Sequence, residues 1–321
     1  MRFIDFFAGI GGFTKGLTQA GMRCAGFCEK DKFAIRSYHA LHNPDAKEWF
    51  SDDITTTKSN DIPYADGWTA GFPCQDISIS GRLAGLAGER SGLFFEIIRL
   101  LKGKSPENKP QWLLLENVKN LLSIGSGGDF TEVLHHLSEA GYDCEWQVVN
   151  SKSYVPQNRE RVFIIGHLRT GSSRKVFPIG YTNTKTPVQI IGGSQGSRVY
   201  SPSGISVTLT AQGGGGGAKS GLYFIDLNKN PKLTEIARCL KARYDSGVSN
   251  RGADNSGVLI NGRIRKLTPL ECFRLQGFTD EDYYKAKAIN SDSQLYKQIG
   301  NGVTVPVIYE IGKKVMEVYN G

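Results

Sequence analysis

Cysteine is scarce in this chain: its 321 residues hold six, at positions 24, 28, 74, 144, 239 and 272. That is too few for a disulfide framework at this length. No two form a Cys-x-x-Cys pair, and Cys24 and Cys28 stand four apart without a second ligand pair. No metal site is expected on that spacing, and a reducing, cytoplasmic setting fits the sparse thiols best. Long apolar runs are missing too; none approaches the roughly 18 residues that a membrane span needs. The opening Met1-Arg2-Phe3-Ile4-Asp5 places an acid where a secretory signal would continue its apolar stretch, so no targeting peptide is read there. Composition carries no strong bias either, since 39% hydrophobic and 22% charged residues are ordinary for a chain with a sizeable core. Disordered, fibrous and membrane classes are excluded, and the length suits two domains at ~150 residues each or one large α/β domain.

Charge is uneven rather than large. The chain has 39 Lys and Arg against 31 Asp and Glu, a net +8. Residues 170–262 alone hold 11 basic against 4 acidic side chains, and the rest of the chain 28 against 27. The same segment contains 16 of the 39 glycines, including the run Gly213 to Gly217. A basic, glycine-rich stretch between near-neutral flanks suits a polyanion, although solvated loops would look the same.

Residues 1–168 alternate short apolar runs with amphipathic stretches. Strands are expected over 2–7, 22–28, 67–71, 112–115 and 161–167, and helices over 13–20, 32–41, 93–101 and 130–140. Strands alternating with helices imply βαβ units, an α/β fold and a mostly parallel sheet. From residue 170 the pattern turns to β-like pieces over 197–200, 205–210 and 222–225, with a weak helical period only over 233–240. Beyond it, 269–276 reads as a helix with Thr268 as N-cap and Glu271 in the capping-box position, and 305–319 as a further amphipathic helix.

The first strand runs into Phe7-Ala8-Gly9-Ile10-Gly11-Gly12-Phe13. Glycines there let the backbone turn sharply and approach a ligand, and the helix that follows offers free N–H groups. The full dinucleotide pattern would need glycine where Thr14 stands, which counts against a nicotinamide or flavin. Glu29 closes the second strand, where a carboxylate accepts hydrogen bonds from ribose hydroxyls, and Asp53 could do the same for an adenine amino group. An adenosine cofactor is favoured over a plain turn.

The fourth strand ends in Gly71-Phe72-Pro73-Cys74-Gln75. A cysteine at the carboxyl end of a parallel strand projects into the crevice where open α/β sheets bind ligands. A buried structural cysteine usually has apolar neighbours on both sides, whereas Cys74 precedes a polar loop, 75–92, long enough to close over a substrate. The fifth strand ends in Leu115-Glu116-Asn117-Val118. Partial burial there disfavours the charged carboxylate, so Glu116 could donate a proton; it could equally be the acid of a helix N-terminus. Gln157-Asn158-Arg159-Glu160-Arg161 enters the last strand, with Arg161 able to hydrogen-bond a carbonyl oxygen and Arg159 and Glu160 able to pair on the surface.

These stretches resemble motifs of bacterial and phage DNA (cytosine-5) methyltransferases of the restriction–modification type. In order they are Phe7-Ala8-Gly9-Ile10-Gly11-Gly12, Gly71-Phe72-Pro73-Cys74-Gln75, Glu116-Asn117-Val118 and Gln157-Asn158-Arg159-Glu160-Arg161. Arg265-Lys266-Leu267-Thr268-Pro269-Leu270-Glu271-Cys272 and Gln298-Ile299-Gly300-Asn301-Gly302-Val303 follow. Each is weak alone; six in the family's order, with a variable basic segment between the fourth and fifth, are specific.

The resemblance implies a Rossmann-like methyltransferase domain over 1–168, with helices on both faces of its sheet. A β-rich target-recognition domain would span 169–284, and 285–321 would return to the first. It implies S-adenosylmethionine as methyl donor, with no metal, and cytosine in double-stranded DNA as acceptor. Phe7 would contact the adenine ring, Glu29 the ribose, and Asp53 with Ile54 the adenine edge. Ala8, Gly9, Gly11, Gly12 and Pro73 would line the cofactor, and Asn301 with Gly302 would close its methionine side. Lys30 departs from the many members that carry an aromatic there. Cys74 would attack carbon 6 of the base, Glu116 bond ring N3, and Arg161 hold the ring carbonyl, with Arg159 supporting or competing.

The base must leave the stack, so Gln75, Ser78, Ser80 and Arg90 are expected on the DNA. Within the basic segment, Gln195, Arg198, Thr208, Gly213 and Arg243 are the candidates for recognition, Arg198 reading guanine in a GC-rich site and Gln195 filling the vacated space. Residues 226–257 look additional to the smallest recognition domains, with Arg238, Lys241, Arg243 and Arg251 able to add contacts. A monomer with a cognate endonuclease, or a lone protective phage enzyme, are both compatible. Methylation of cytosine in RNA and a non-catalytic DNA-binding role are the alternatives; the large basic segment disfavours the first and the presence of Cys74 and Glu116 the second.

Overall fold

The computed structural model describes residues 1–73, 92–169, 174–179, 189–191, 199–200, 223–226, 233–234, 236–242, 244, 256–260 and 263–320. The chain forms two compact units: Met1–Val149, Glu160–Ile179 and Ile308–Gly321 in the first, Asn150–Arg159 and Gly180–Val307 in the second.

The first unit is built on a seven-stranded sheet. Its strands are β1 (Arg2–Phe6), β2 (Arg23–Cys28), β3 (Trp49–Ser51), β4 (Gly67–Gly71), β5 (Trp112–Val118), β6 (Tyr142–Asn150) and β7 (Glu160–Leu168), in the spatial order β3-β2-β1-β4-β5-β7-β6. All pairings from β3 to β5 are parallel, and β7 runs antiparallel to β5. Both faces of the central strands are covered, which is why they read as unbroken apolar runs; Trp112 to Leu115 are each at most 1% exposed. Truncating one of these, as in Leu114→Ala, is expected to cost about 2–5 kcal/mol. Helices α1 (Gly12–Gln19), α2 (Lys32–His42), α3 (Leu93–Lys102) and α4 (Gly128–Glu139) connect the strands, and Phe94, Ile97, Leu100 and Leu101 of α3 are buried in the core.

Strand order reverses between β1 and β4, because the chain first builds outward through β2 and β3 and then returns to the other side of β1. Ligands of open α/β sheets bind outside the strand carboxyl ends at such a switch point. The α/β, mostly parallel architecture read from the sequence is the one observed. Strand β6 was not read from the sequence, although Tyr142, Cys144, Trp146 and Val148 alternate there with Asp143, Glu145 and Gln147; Trp146 is 47% exposed.

In the second unit, β10 (Tyr223–Asp226), β11 (Leu233–Thr234), β12 (Ser256–Ile260) and β13 (Arg263–Lys266) form an antiparallel sheet in the order β11-β10-β12-β13, and β8 (Gln189–Ile191) pairs with β9 (Val199–Tyr200). Three helices follow, α5 (Pro269–Leu275), α6 (Asp280–Lys287) and α7 (Asp292–Asn301), before α8 (Val305–Asn320). The capping box expected at Thr268 is present: its hydroxyl accepts from Glu271 N–H (3.2 Å) while Glu271 accepts from Thr268 N–H (2.7 Å). No helix forms over 233–240. Residues 233–234 are strand, and beyond them the backbone finds partners in the 156–158 segment: Ala237 N–H donates to Pro156 O and Asn158 N–H to Ala237 O, both at 2.9 Å. Those long-range bonds outweigh a weak local helical preference. Among the described residues no helix is long and apolar enough to cross a membrane.

Candidate active site

The turn after β1 is held open by three residues in the left-handed region: Phe7 (φ 55°), Gly9 (φ 57°) and Gly11 (φ 81°). A side chain on Gly11 would be strained by φ, and its Cβ would stand 2.1 Å from His42 Nε2 and 2.9 Å from the Tyr38 ring. A Cβ on Gly9 would meet nothing within 4 Å among the described residues. Three side chains pin the turn. Glu29 Oε2 accepts from Gly9 N–H (2.8 Å), His42 Nε2 lies 2.9 Å from Ile10 O, and Asp5 Oδ2 accepts from Thr14 N–H (3.2 Å) and its hydroxyl (2.8 Å). Gly11 is the N-cap of α1 and offers no side chain, so Asp5 caps that helix from the neighbouring strand. Thr14 thus replaces the third glycine of a dinucleotide loop with a hydrogen-bonding anchor. Thr69 also donates to Asp5 (2.9 Å), yet complete burial pushes the Asp5 carboxyl up to about 7. Neither Asp5 nor Thr14 was given a role at the site from the sequence; an acid inside an otherwise apolar strand was the available signal.

Glu29 and Asp53 follow β2 and β3, neighbours in the sheet. Glu29 Oε1 accepts from the N–H groups of Lys30 and Asp31, each at 2.8 Å, so the carboxylate is fixed by backbone on both oxygens. Asp53 Oδ1 accepts from Thr55 N–H (3.0 Å) and the Thr55 hydroxyl (2.8 Å). Its Oδ2 faces Lys30 Nζ at 2.7 Å, and that ammonium holds the Asp53 carboxyl below the ordinary carboxylate range. Ile54 beside it is buried.

On the other side of the switch point, Gly71 at the end of β4 is in register with Glu116 on β5, and a Cβ there would lie 3.5 Å from Glu116 Oε2. Asn117, 2% exposed, donates through Nδ2 to Phe72 O (3.0 Å) and accepts from Val118 N–H (2.8 Å). It ties the chain entering Pro73 to the strand that carries Glu116, a role the sequence reading left unassigned although Asn117 lies inside the Glu116 motif. Glu116 is 8% exposed, and its Oε1 has no hydrogen bond among the described residues. Arg161 Nε stands 3.0 Å from that oxygen, an ion pair between two half-hidden side chains.

Arg159 differs from its expected surface pairing. It is 2% exposed, and its guanidinium donates to the carbonyls of Leu240 (3.1 Å), Gly300 (3.3 Å) and Gly302 (2.6 Å), all in the second unit. Glu160 pairs instead with Lys119 at 3.0 Å. A guanidinium committed to three backbone carbonyls organises the chain around α7. Buried Gln157 works alongside it, donating to Leu275 O (3.1 Å) and accepting from Leu240 N–H (2.9 Å). Gly302, whose carbonyl Arg159 holds, follows the exposed Asn301 at the end of α7. Cys74, Gln75, Ser78, Ser80, Arg90, Gln195, Arg198, Thr208, Gly213, Arg243 and Arg251 lie outside the described residues.

A family model described as C-5 cytosine-specific DNA methylase matches residues 1–317. The chain belongs to that family. It is 37% identical over 330 residues to the type II methyltransferase M.NlaX of Neisseria lactamica, covering 98% of this chain and 96% of that one. Against the type II methyltransferase M.HhaI of Haemophilus parahaemolyticus it is 33% identical over 358 residues, covering 98% and 95%. In fold it resembles the solved Entamoeba histolytica methyltransferase EhMeth, with a TM-score of 0.66, 17% identity and coverage of 99% and 98%.

Proposed function

We propose that this family member transfers a methyl group from S-adenosylmethionine to carbon 5 of a cytosine flipped out of a short, GC-rich site in double-stranded DNA, through a covalent bond to Cys74. The observation that carries the reading is the paired ending of β4 and β5. There Asn117 fixes the backbone one residue before Pro73-Cys74, and the buried Glu116 carboxylate keeps an oxygen without a hydrogen bond among the described residues.

The donor set fits an adenosine cofactor. Glu29 presents a carboxylate oriented by three backbone amides, suited to the two hydroxyl donors of a ribose, and Asp53 offers an acceptor for an amino group. A Cβ on Gly9 would meet nothing within 4 Å among the described residues, and Phe7 at the start of the turn is the side chain for the adenine ring. When bound, the cofactor supplies an electrophilic methyl group.

The residues of this chain must then make an unreactive ring carbon nucleophilic. The Cys74 thiolate forms a sulfur–carbon bond to ring carbon 6, which breaks aromaticity and moves electron density to carbon 5. Glu116 gives a proton or a hydrogen bond to ring N3 and so neutralises the charge that collects there. Arg161, already beside Glu116, holds the ring carbonyl oxygen. After methyl transfer, loss of the proton on carbon 5 to a base restores the double bond and expels the Cys74 sulfur. Flipping the base costs a few kcal/mol, offset by contacts from the 75–92 loop and from the basic 170–262 segment as recognition region. The protein is read as a monomer that protects DNA against an endonuclease of matching specificity.

The test is to incubate unmethylated plasmid with the protein and S-adenosylmethionine and to bisulfite-sequence it beside a Cys74→Ala control. Conversion-resistant cytosines confined to one short motif, and absent with the variant, are expected. Methyl marks on adenine, marks that survive Cys74→Ala, or a preference for RNA in a direct acceptor comparison would overturn the reading.

A further inference from the structure

Helix α2 is tied to the glycine turn at both of its ends. At its start, Asp31 is the N-cap, accepting from Phe33 N–H (2.9 Å) and Ala34 N–H (3.4 Å), while the Asp31 amide donates to Glu29 Oε1 (2.8 Å). The other oxygen of that carboxylate holds Gly9 N–H (2.8 Å). At its end, Asn43 takes the left-handed conformation (φ 43°) and Pro44 follows, so the helix stops directly after His42. His42 Nε2 stands 2.9 Å from Ile10 O. A carbonyl has no hydrogen to give, so Nε2 carries the proton and donates. Ile10 precedes Gly11, the N-cap of α1, whose own carbonyl accepts from Lys15 N–H (2.8 Å). The Ile10 carbonyl therefore lies outside the helical ladder and takes its partner from α2. The imidazole has little room to move. It lies against Gly11, where a Cβ would stand 2.1 Å from Nε2, and its ring centroid is 4.6 Å from that of Tyr38. Tyr38 is itself fully buried, stacks on Phe27 at 3.7 Å, and bonds the Thr14 hydroxyl through its own at 2.9 Å.

We propose that His42 is a positioning residue for the cofactor: through the Ile10 carbonyl it sets where the glycine turn stands relative to the Glu29 carboxylate. The proposal rests on the adenosine-cofactor reading above. Gly9 and Ile10 are neighbours, and the first is held by its N–H from the head of α2, the second by its C=O from the tail. The two bonds fix the peptide planes before Gly9 and after Ile10, so helix and turn close into one ring of contacts. Without the bond from His42, the plane after Ile10 is flanked by Gly11, whose missing side chain leaves the backbone free to rotate. A ligand would then have to order the turn as it binds, and affinity would fall. In this role His42 makes no contact with the reacting atoms and acts on cofactor binding alone.

The experiment compares two substitutions of similar size: His42→Gln, whose side-chain amide can still donate to Ile10, and His42→Met, which cannot. Kd for S-adenosylhomocysteine is measured by titration calorimetry on the full-length protein without DNA. KM for S-adenosylmethionine and kcat are measured from methyl transfer to plasmid DNA, with all assays run well below each variant's denaturation midpoint. His42→Met is expected to raise Kd and KM about tenfold, the effect of one lost hydrogen bond, with kcat at saturating cofactor within about threefold of wild type. His42→Gln is expected to bring Kd and KM back to within about threefold of wild type. An imidazole that only filled space would move the two variants together, since both lose the ring beside Tyr38. Glu29→Ala is the control for the cofactor reading: if it binds S-adenosylhomocysteine as wild type does, that reading fails and the proposal with it. If Glu29→Ala weakens binding while His42→Met binds like wild type, or while His42→Gln is weakened as much as His42→Met, the cofactor reading stands and the role of His42 is overturned. A fall in kcat of about tenfold or more at unchanged KM overturns it as well.

Discussion

At the ends of β2 and β3, Glu29 and Asp53 have hydrogen bonds on both carboxylate oxygens, from backbone amides, a threonine and a lysine. At the end of β5, two strands across the switch point, Glu116 is buried, and one of its oxygens has no hydrogen bond among the described residues, with Arg161 Nε standing 3.0 Å from it. The same functional group, at the same edge of one sheet, is finished in one place and left unfinished in the other. A carboxylate that binds a ligand gains from being oriented beforehand, since less freedom is lost on binding. One that must hand over a proton or take up a new partner in a transition state is more useful when its bonding capacity is still open. On the proposed function, the difference divides the sheet into a binding half and a reacting half.

The largest effect should come from closing that gap in chemistry. Glu116→Gln keeps shape and a hydrogen-bond donor but removes the acid; kcat for methyl transfer is expected to fall by about 10²–10⁴, while Kd for S-adenosylhomocysteine stays at its wild-type value. A parallel loss of cofactor binding would erase the distinction between the halves. On the binding side, Glu29→Ala frees the Gly9, Lys30 and Asp31 amides and removes a ligand acceptor. Kd should rise by about 10- to 100-fold, with kcat at saturating cofactor within about threefold of wild type. Calorimetry and single-turnover methylation together read both quantities.

A smaller effect concerns Asp5, the buried acid behind the glycine turn. Its ordinary value of 3.8 is raised to about 7, chiefly by burial, so between those limits the folded protein holds a proton that the unfolded chain releases. Stability should therefore fall as pH rises from about 4 to 7 and level off above. Asp5→Asn, which can still accept from Thr14, should remove that slope. Denaturation midpoints of the two proteins across this range check it, and a wild-type curve that rises over the interval would contradict the burial argument.

Local features were legible in the sequence. The glycine turn, the apolar β1, β4, β5 and β7, and the Thr268–Glu271 capping box are set by neighbours within a few positions, and each was found. What was missed depends on distant partners. Arg159 has the appearance of a surface charge until Leu240, Gly300 and Gly302 arrive from 81 to 143 positions away. The 233–240 stretch gives up its helical preference to a segment some eighty residues earlier. Lys30 and Asp53, 23 apart, were read as a departure from an aromatic and as an acceptor for an amino group, and prove to be one ion pair. Charge placed by tertiary structure leaves no local period to read.

The account turns on sulfur. DNA made with 5-fluorocytosine in place of cytosine blocks the final proton loss, so a nucleophile that has added to carbon 6 stays attached. With S-adenosylmethionine present, the protein should form a complex with such DNA that survives denaturant, and peptide mapping should place the link on Cys74, with none formed by Cys74→Ala. If the DNA becomes methylated and yet no denaturation-resistant link forms, or the link maps to another residue, the proposed chemistry is contradicted.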